Sequence, residues 1–269
     1  MERRRHLIEF FVLALALTWM WWIPAALIER GVLPLDLPWI VLMIPGGLGP
    51  LAAALLCART TEGVRPFLRR AFRWRAAPRF YLVATAGMAA LILGVVPAHL
   101  LAGASWDGAG ARSGLLALPA LAVFTFVLGG GIDEEFGWHG FALPHLQDRL
   151  PVWAANVTLG LLWSLWHLPL WWNPAVAQYD SNFPLYIVST TGFALVLGWL
   201  FNASGGNVMV VVTAHTVANL AYGLQAAALD EVYQWIDVVV MGGAGLIALA
   251  VTRGRLGLPV RAEHAALRR

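Results

Sequence analysis

Three consecutive acids lie between two apolar runs in Gly129-Gly130-Gly131-Ile132-Asp133-Glu134-Glu135-Phe136-Gly137-Trp138-His139-Gly140. An ionisable side chain inside a hydrophobic span costs ~2.5–3.5 kcal/mol even on the lenient insertion scale, so each is a functional candidate. Adjacent carboxylates at low dielectric do not both ionise freely, which leaves one able to take up a proton and suits a general base. Neighbours on a helix differ by about 100°, so Glu134 and Glu135 do not serve one point equally. Glu135 and His139 are four apart and share a face. The plain alternative for this segment is a solvated cap on a cytoplasmic loop.

A second constellation is Trp163-Ser164-Leu165-Trp166-His167-Leu168-Pro169, with His167 in an otherwise apolar helix. Alone, that histidine reads as readily as a hydrogen-bonded core residue. The third is His215-Thr216-Val217-Ala218-Asn219. His215 and Asn219 lie one turn apart on one face, where both could donate to a single oxygen. They fit helix–helix packing equally well. Together the three segments supply a base, a second proton-handling group and donors for an anion. Those are the parts needed to make water attack a carbonyl.

Membrane-spanning helices must position these groups. The chain of 269 residues is 59% hydrophobic and 12% charged, with a mean hydropathy of +0.69. A soluble domain carries about 25% charged residues. The apolar residues form continuous runs long enough to cross a ~30 Å hydrocarbon core, which favours helices over the short alternating strands of a barrel. The expected fold is all-α, a polytopic membrane bundle of about eight transmembrane helices. The spans are expected at 7–28, 38–58, 80–103, 115–143, 152–172, 184–203, 207–228 and 235–252.

All 18 basic residues are arginine, as a GC-rich genome would give. They cluster at Arg3–Arg5, in the 59–79 loop and in the tail with Arg253, Arg255, Arg261, Arg268 and Arg269. The loop holds seven arginines against one acid, Glu62. The positive-inside rule puts all three clusters, and both termini, in the cytoplasm, expected to be that of a bacterium whose inner membrane holds the protein. The arginines flank hydrophobic spans, so they are read as topology determinants and no nucleic-acid partner is expected. The first apolar stretch is too long for a signal h-region and is read as a retained span. Cys57 is the single cysteine, which excludes an intrachain disulfide. Trp21, Trp22, Trp171 and Trp172 are expected as interfacial anchors. The chain divides into N-terminal helices with a basic loop (1–114), a core (115–228), and a last helix with a basic tail (229–269).

In order and spacing, the three segments resemble the CPBP family, which includes type II CAAX prenyl endopeptidases and bacteriocin-processing enzymes. Its pattern is Glu-Glu-x-x-x-Arg, then Phe-x-x-x-His, then His-x-x-x-Asn on successive helices. Here Glu134-Glu135 precedes His139 in place of the arginine, Trp163 replaces the phenylalanine before His167, and His215 precedes Asn219. The resemblance covers about residues 115–225. It implies an intramembrane endopeptidase in which Glu134 and His167 activate water, His215 and Asn219 hold the oxyanion, and Glu135, paired with His139, positions Glu134. Histidine lacks the fixed charge and fork of arginine, so this pairing is expected only with His139 protonated. Members of that family are often labelled metalloproteases, but the sequence holds no His-Glu-x-x-His pair of zinc ligands, so no obligatory metal is expected; zinc, if bound, would sit on Glu134, His167 and His215. A peptide or membrane-protein tail is the expected substrate and the lipid bilayer the medium, while the oligomeric state is left open. The same residues also suit a proton-coupled transporter relay or a catalytically silent scaffold.

Depth offers a check. Counted at ~1.5 Å per residue from their cytoplasmic ends, Glu134 lies ~15 Å deep, His215 ~12 Å and His167 ~22 Å. His167 is the outlier.

Overall fold

The computed structural model describes residues 2–258. Among these the secondary structure is helical, with a single isolated β-bridge between Trp106 and Leu229. Helix α1 (Glu2–Glu29) forms the first span. Helices α2 (Ile40–Gly47) and α3 (Gly49–Thr60) share the second, and α4 (Val64–Ala71) follows in the basic loop. The third span comprises α5 (Pro78–Leu82), a π turn, α6 (Met88–Leu93) and α7 (Val96–Ala102). Then come α8 (Gly108–Leu128), α9 (Ile132–Gly137), a π turn over Trp138–Ala142, and α10 (Leu143–Gln147). The chain continues through α11 (Val152–Trp166), α12 (Phe183–Ala203), α13 (Val208–Ala228) and α14 (Gln234–Val251). It is a polytopic helical membrane bundle.

Among the described residues, seven helical stretches are long and apolar enough to cross a membrane, where eight were expected. The difference is α11, which has 15 residues, about 22 Å at the usual rise against a ~30 Å core. Pro169 lacks an N–H and disfavours α geometry at the residue before it. The backbone therefore tightens at His167, whose N–H bonds to Ser164 O, and continues as a 3-10 turn over Leu168–Trp172. At ~2 Å per residue that turn has a length of about 10 Å.

Close packing comes from small residues, since apolar burial gives helices in lipid little reason to associate. A Cβ on Gly192 of α12 would lie 2.5 Å from Met241 O of α14, and one on Gly245 would lie 2.8 Å from Gly192 Cα. A Cβ on Gly137 would lie 2.6 Å from Pro50 Cβ, so this glycine admits α3 against α9. The centre is α13, with 61% of its apolar window buried against 17–39% for the other spans. Its first turn is enclosed: Val208, Met209, Val210, Val211 and Val212 are all fully buried.

Candidate active site

The acidic run owes its place to the triple glycine. Gly130 takes φ +103°, and a Cβ there would come within 2.7 Å of both His215 Nε2 and Asn219 Nδ2. A Cβ on Gly131 would lie 2.2 Å from Phe126 O. Only glycine tolerates this backbone and this crowding. The chain turns between α8 and α9, and Asp133, buried at the base of the turn, accepts the Gly130 N–H at 3.0 Å. Asn219 Nδ2 donates to Gly129 O at 2.9 Å. Both sides of the site are thus tied to one three-residue break.

Glu134 is 8% exposed and Glu135 is fully buried. The Glu134 Oε2 accepts indole N–H groups from Trp163 (2.6 Å) and Trp138 (3.2 Å). Its Oε1 has no hydrogen-bond partner among the described residues and remains available at the cavity wall. Glu135 points away. Its Oε1 meets His215 Nδ1 at 2.7 Å, and its Oε2 makes a short contact with His139 Nδ1. The expected i, i+4 pairing of Glu135 and His139 is present, but it does not demand a protonated His139. A neutral imidazole with its hydrogen on Nδ1 donates the same bond. His139 lies behind Glu135, fully buried, with Nε2 unpaired among the described residues.

His167 Nδ1 lies 2.9 Å from Trp163 O. A carbonyl only accepts, so Nδ1 carries the hydrogen and Nε2 of the neutral ring keeps a lone pair. His215, held through Nδ1 by Glu135, turns Nε2 toward Gly130 and Asn219.

A cavity of about 350 Å³ brings together Glu134, His167, His215 and Asn219. Four of the six expected site residues meet there, while Glu135 and His139 support the wall from behind. A second cavity of about 280 Å³, walled by Trp22, Met43, Phe124 and Leu128, shares Glu134, His167, Gln178 and Asn219 with the first. Glu134 therefore stands where the two chambers meet.

The depth mismatch between Glu134 and His167 closes in the structure. The fourth span runs to Gln147, beyond the expected end at 143. Counted from the turn at 148–151, Glu134 stands thirteen residues up from Gln147 and His167 fifteen up from Val152, about 20 and 22 Å. His215, seven residues past Val208 in α13, counts to about 10 Å, yet it lines the same cavity.

Several lining residues escape a reading by motif. The indoles of Trp138 and Trp163 hold the carboxylate, although only the ring of Trp163 was anticipated, as an aromatic wall. The signal for Trp138 was its position four residues after Glu134. Gln178, on a 3-10 turn over Ala177–Asp180, lines both cavities. Tyr186, Ser189, Thr190 and Tyr222 also line the first chamber. Trp22, expected as an interfacial anchor, is instead buried, donating to Met43 O at 3.0 Å and packing against Trp166 at 4.6 Å. Trp172, 45% exposed, is consistent with such an anchor.

Glu134, His167 and His215 line one cavity, yet the described residues contain no group of three His, Cys, Asp or Glu side chains placed to hold a metal ion. That spacing, rather than the hydrogen bonds on the two imidazoles, is why this donor set does not fit zinc as it stands, and no step below passes through a metal.

Residues 116–221 match the family of type II CAAX prenyl endopeptidases described as Rce1-like. The chain is also similar to CAAX prenyl protease 2 of Methanococcus maripaludis, 28% identical over 127 residues. That alignment covers 44% of this chain and 44% of the relative, so the chain spans less than half the length of the curated relative it matches. All six candidate residues fall within 116–221.

Proposed function

We propose, from the premise that residues 116–221 are a segment of the CAAX-protease kind, that this integral membrane protein is an intramembrane endopeptidase using glutamate-activated water. The observation that carries the reading is the free Oε1 of Glu134, in a cavity that also presents His167, His215 and Asn219.

Water between Glu134 Oε1 and His167 Nε2 gives up a proton as its oxygen attacks the peptide carbonyl carbon. The two indole donors on Oε2 fix the carboxylate's orientation. The tetrahedral oxyanion lies beside Gly130, accepting from Asn219 Nδ2–H and His215 Nε2–H; the buried Glu135 carboxylate balances the imidazolium this role requires. The proton held by Glu134 or His167 passes to the amide nitrogen, the C–N bond breaks, and an amine and a carboxylic acid leave. Glu135 and His139 are positioning residues. The substrate is a peptide or membrane-protein segment, the composition favours a bacterial membrane, and the arginine clusters put both termini in the cytoplasm.

The test uses wild type and Glu134→Gln, purified in detergent and given a quenched-fluorescent library of amphipathic peptides with and without chelator. Wild type is expected to cleave, and the variant to lose at least ~100-fold in kcat. Equal cleavage by both would remove Glu134 from the chemistry, and loss on chelation would replace the metal-free scheme.

A further inference from the structure

The basic loop between α3 and α5 forms a strap across the two halves of the site. Phe67 and Ala71 of α4 are fully buried, whereas Arg65 and Arg69 on the same helix are exposed. At one end, Phe67 and Phe72 meet Phe136 edge-on at 6.5 and 4.8 Å, and Arg70 Nη1 donates to Gly140 O at 3.0 Å. This end rests on the helical run that carries Glu134, Glu135 and His139. At the other end, Arg73 donates to Gly205 O at 2.7 Å, and Asn207 Nδ2 donates to Arg75 O at 3.2 Å. That end holds the turn from which the helix of His215 and Asn219 begins.

The outer face of the strap is chemically uniform. Arg65, Arg69 and Arg75 are exposed, and their side chains have no ion pair or hydrogen bond with another described residue. Arg79 is exposed beside them, over the ring of Phe80. Glu62, the only acid between 59 and 79, is paired with Arg70. Phe72 and Trp74, 46% and 53% exposed, stand among the arginines.

We propose that this face binds the headgroups of anionic phospholipids, and that the bound leaflet braces the strap across the site. Two observations select lipid over an acidic protein or a soluble anion. The strap is short and starts and ends on membrane spans, which keeps it at the bilayer surface. Exposed aromatic rings between cations also match the headgroup–acyl boundary, where rings sit at the interface and basic residues meet anionic lipid. The inference is independent of whether the site cleaves peptides.

The full chain in zwitterionic detergent is titrated with short-chain phosphatidylglycerol, phosphatidylcholine or inorganic phosphate. Thermal unfolding is followed together with amide exchange over 64–79 and 132–142. Phosphatidylglycerol is expected to raise the midpoint and to slow exchange at both stretches about fivefold or more, an effect removed by high salt. Phosphatidylcholine and phosphate are expected to do neither. Arg65→Gln/Arg69→Gln/Arg75→Gln should keep the phosphatidylcholine midpoint and lose the phosphatidylglycerol response. Should the triple variant fail to fold, the single substitutions should each remove part of it. Equal responses to the two lipids, a response to phosphate equal to that of phosphatidylglycerol, or undiminished responses in the variants would each overturn the proposal.

Discussion

Glu135 is the most constrained charge at the site, fully buried with one histidine on each oxygen. Removing one of the two histidines leaves a buried carboxylate oxygen without its donor, a loss of about 1–3 kcal/mol. His139→Leu is therefore expected to lower the unfolding midpoint sharply while Glu134 and its two indoles stay in place. Glu135→Gln should cost comparable stability and also at least ~100-fold in peptide cleavage, because His215 loses the carboxylate that balances it. Parallel midpoints and turnover numbers for the two variants check this: an equal loss of cleavage in both would merge the roles assigned to them. At this scale the sequence was legible wherever a motif has fixed spacing. Glu135 and His139 were readable as one face because helical neighbours recur every four residues. Gln178 was not, because it reaches the site from an irregular turn whose path no periodicity specifies.

Among the elements, the break between α8 and α9 shapes the chemistry most. A continuous fourth span was expected, and the apolar composition on both sides of the glycines supports that reading. What composition does not encode is that Gly130 adopts φ +103° with two site side chains within 2.7 Å of where a Cβ would stand. Gly130→Ala is expected to strain the turn and push His215 and Asn219 apart. Cleavage should fall at least ~100-fold, as misplacement of about 1 Å can cost that much. Near-normal turnover in that variant would show that the two donors need no common seat beside the turn. The shortened α11 gives a similar lesson. Pro169 was visible in the sequence, but the contacts that seat the 3-10 turn after it were not: the Trp166 indole donates to Thr18 of α1 at 2.7 Å, Trp19 donates to Trp166 O at 2.9 Å, and Trp171 donates to Ser181 O at 2.8 Å.

For the whole molecule, the bundle and the three polar helices were legible from hydropathy and charge, because lipid leaves a buried backbone few alternatives. The order of packing was not. The central place of α13 and the approach of α12 to α14 rest on glycines whose role appears only when the helices face each other. Gly245→Leu would force α12 and α14 apart at Gly192 and is expected to destabilise the fold by about 1–3 kcal/mol as overpacking does. Its distance from Glu134 should leave KM for any cleaved peptide near the wild-type value. A large KM change without a fall in midpoint would mean that these helices also shape the cavity.

Glu134, His167, Gln178 and Asn219 form a partition shared by two chambers rather than the floor of one. A blind pocket must expel what it has severed through the same mouth by which the whole chain came in. Under the proposed cleavage, a partition with a room on each side would impose no such queue: the two fragments would part in opposite directions, and the next chain would enter one room while the other is still emptying.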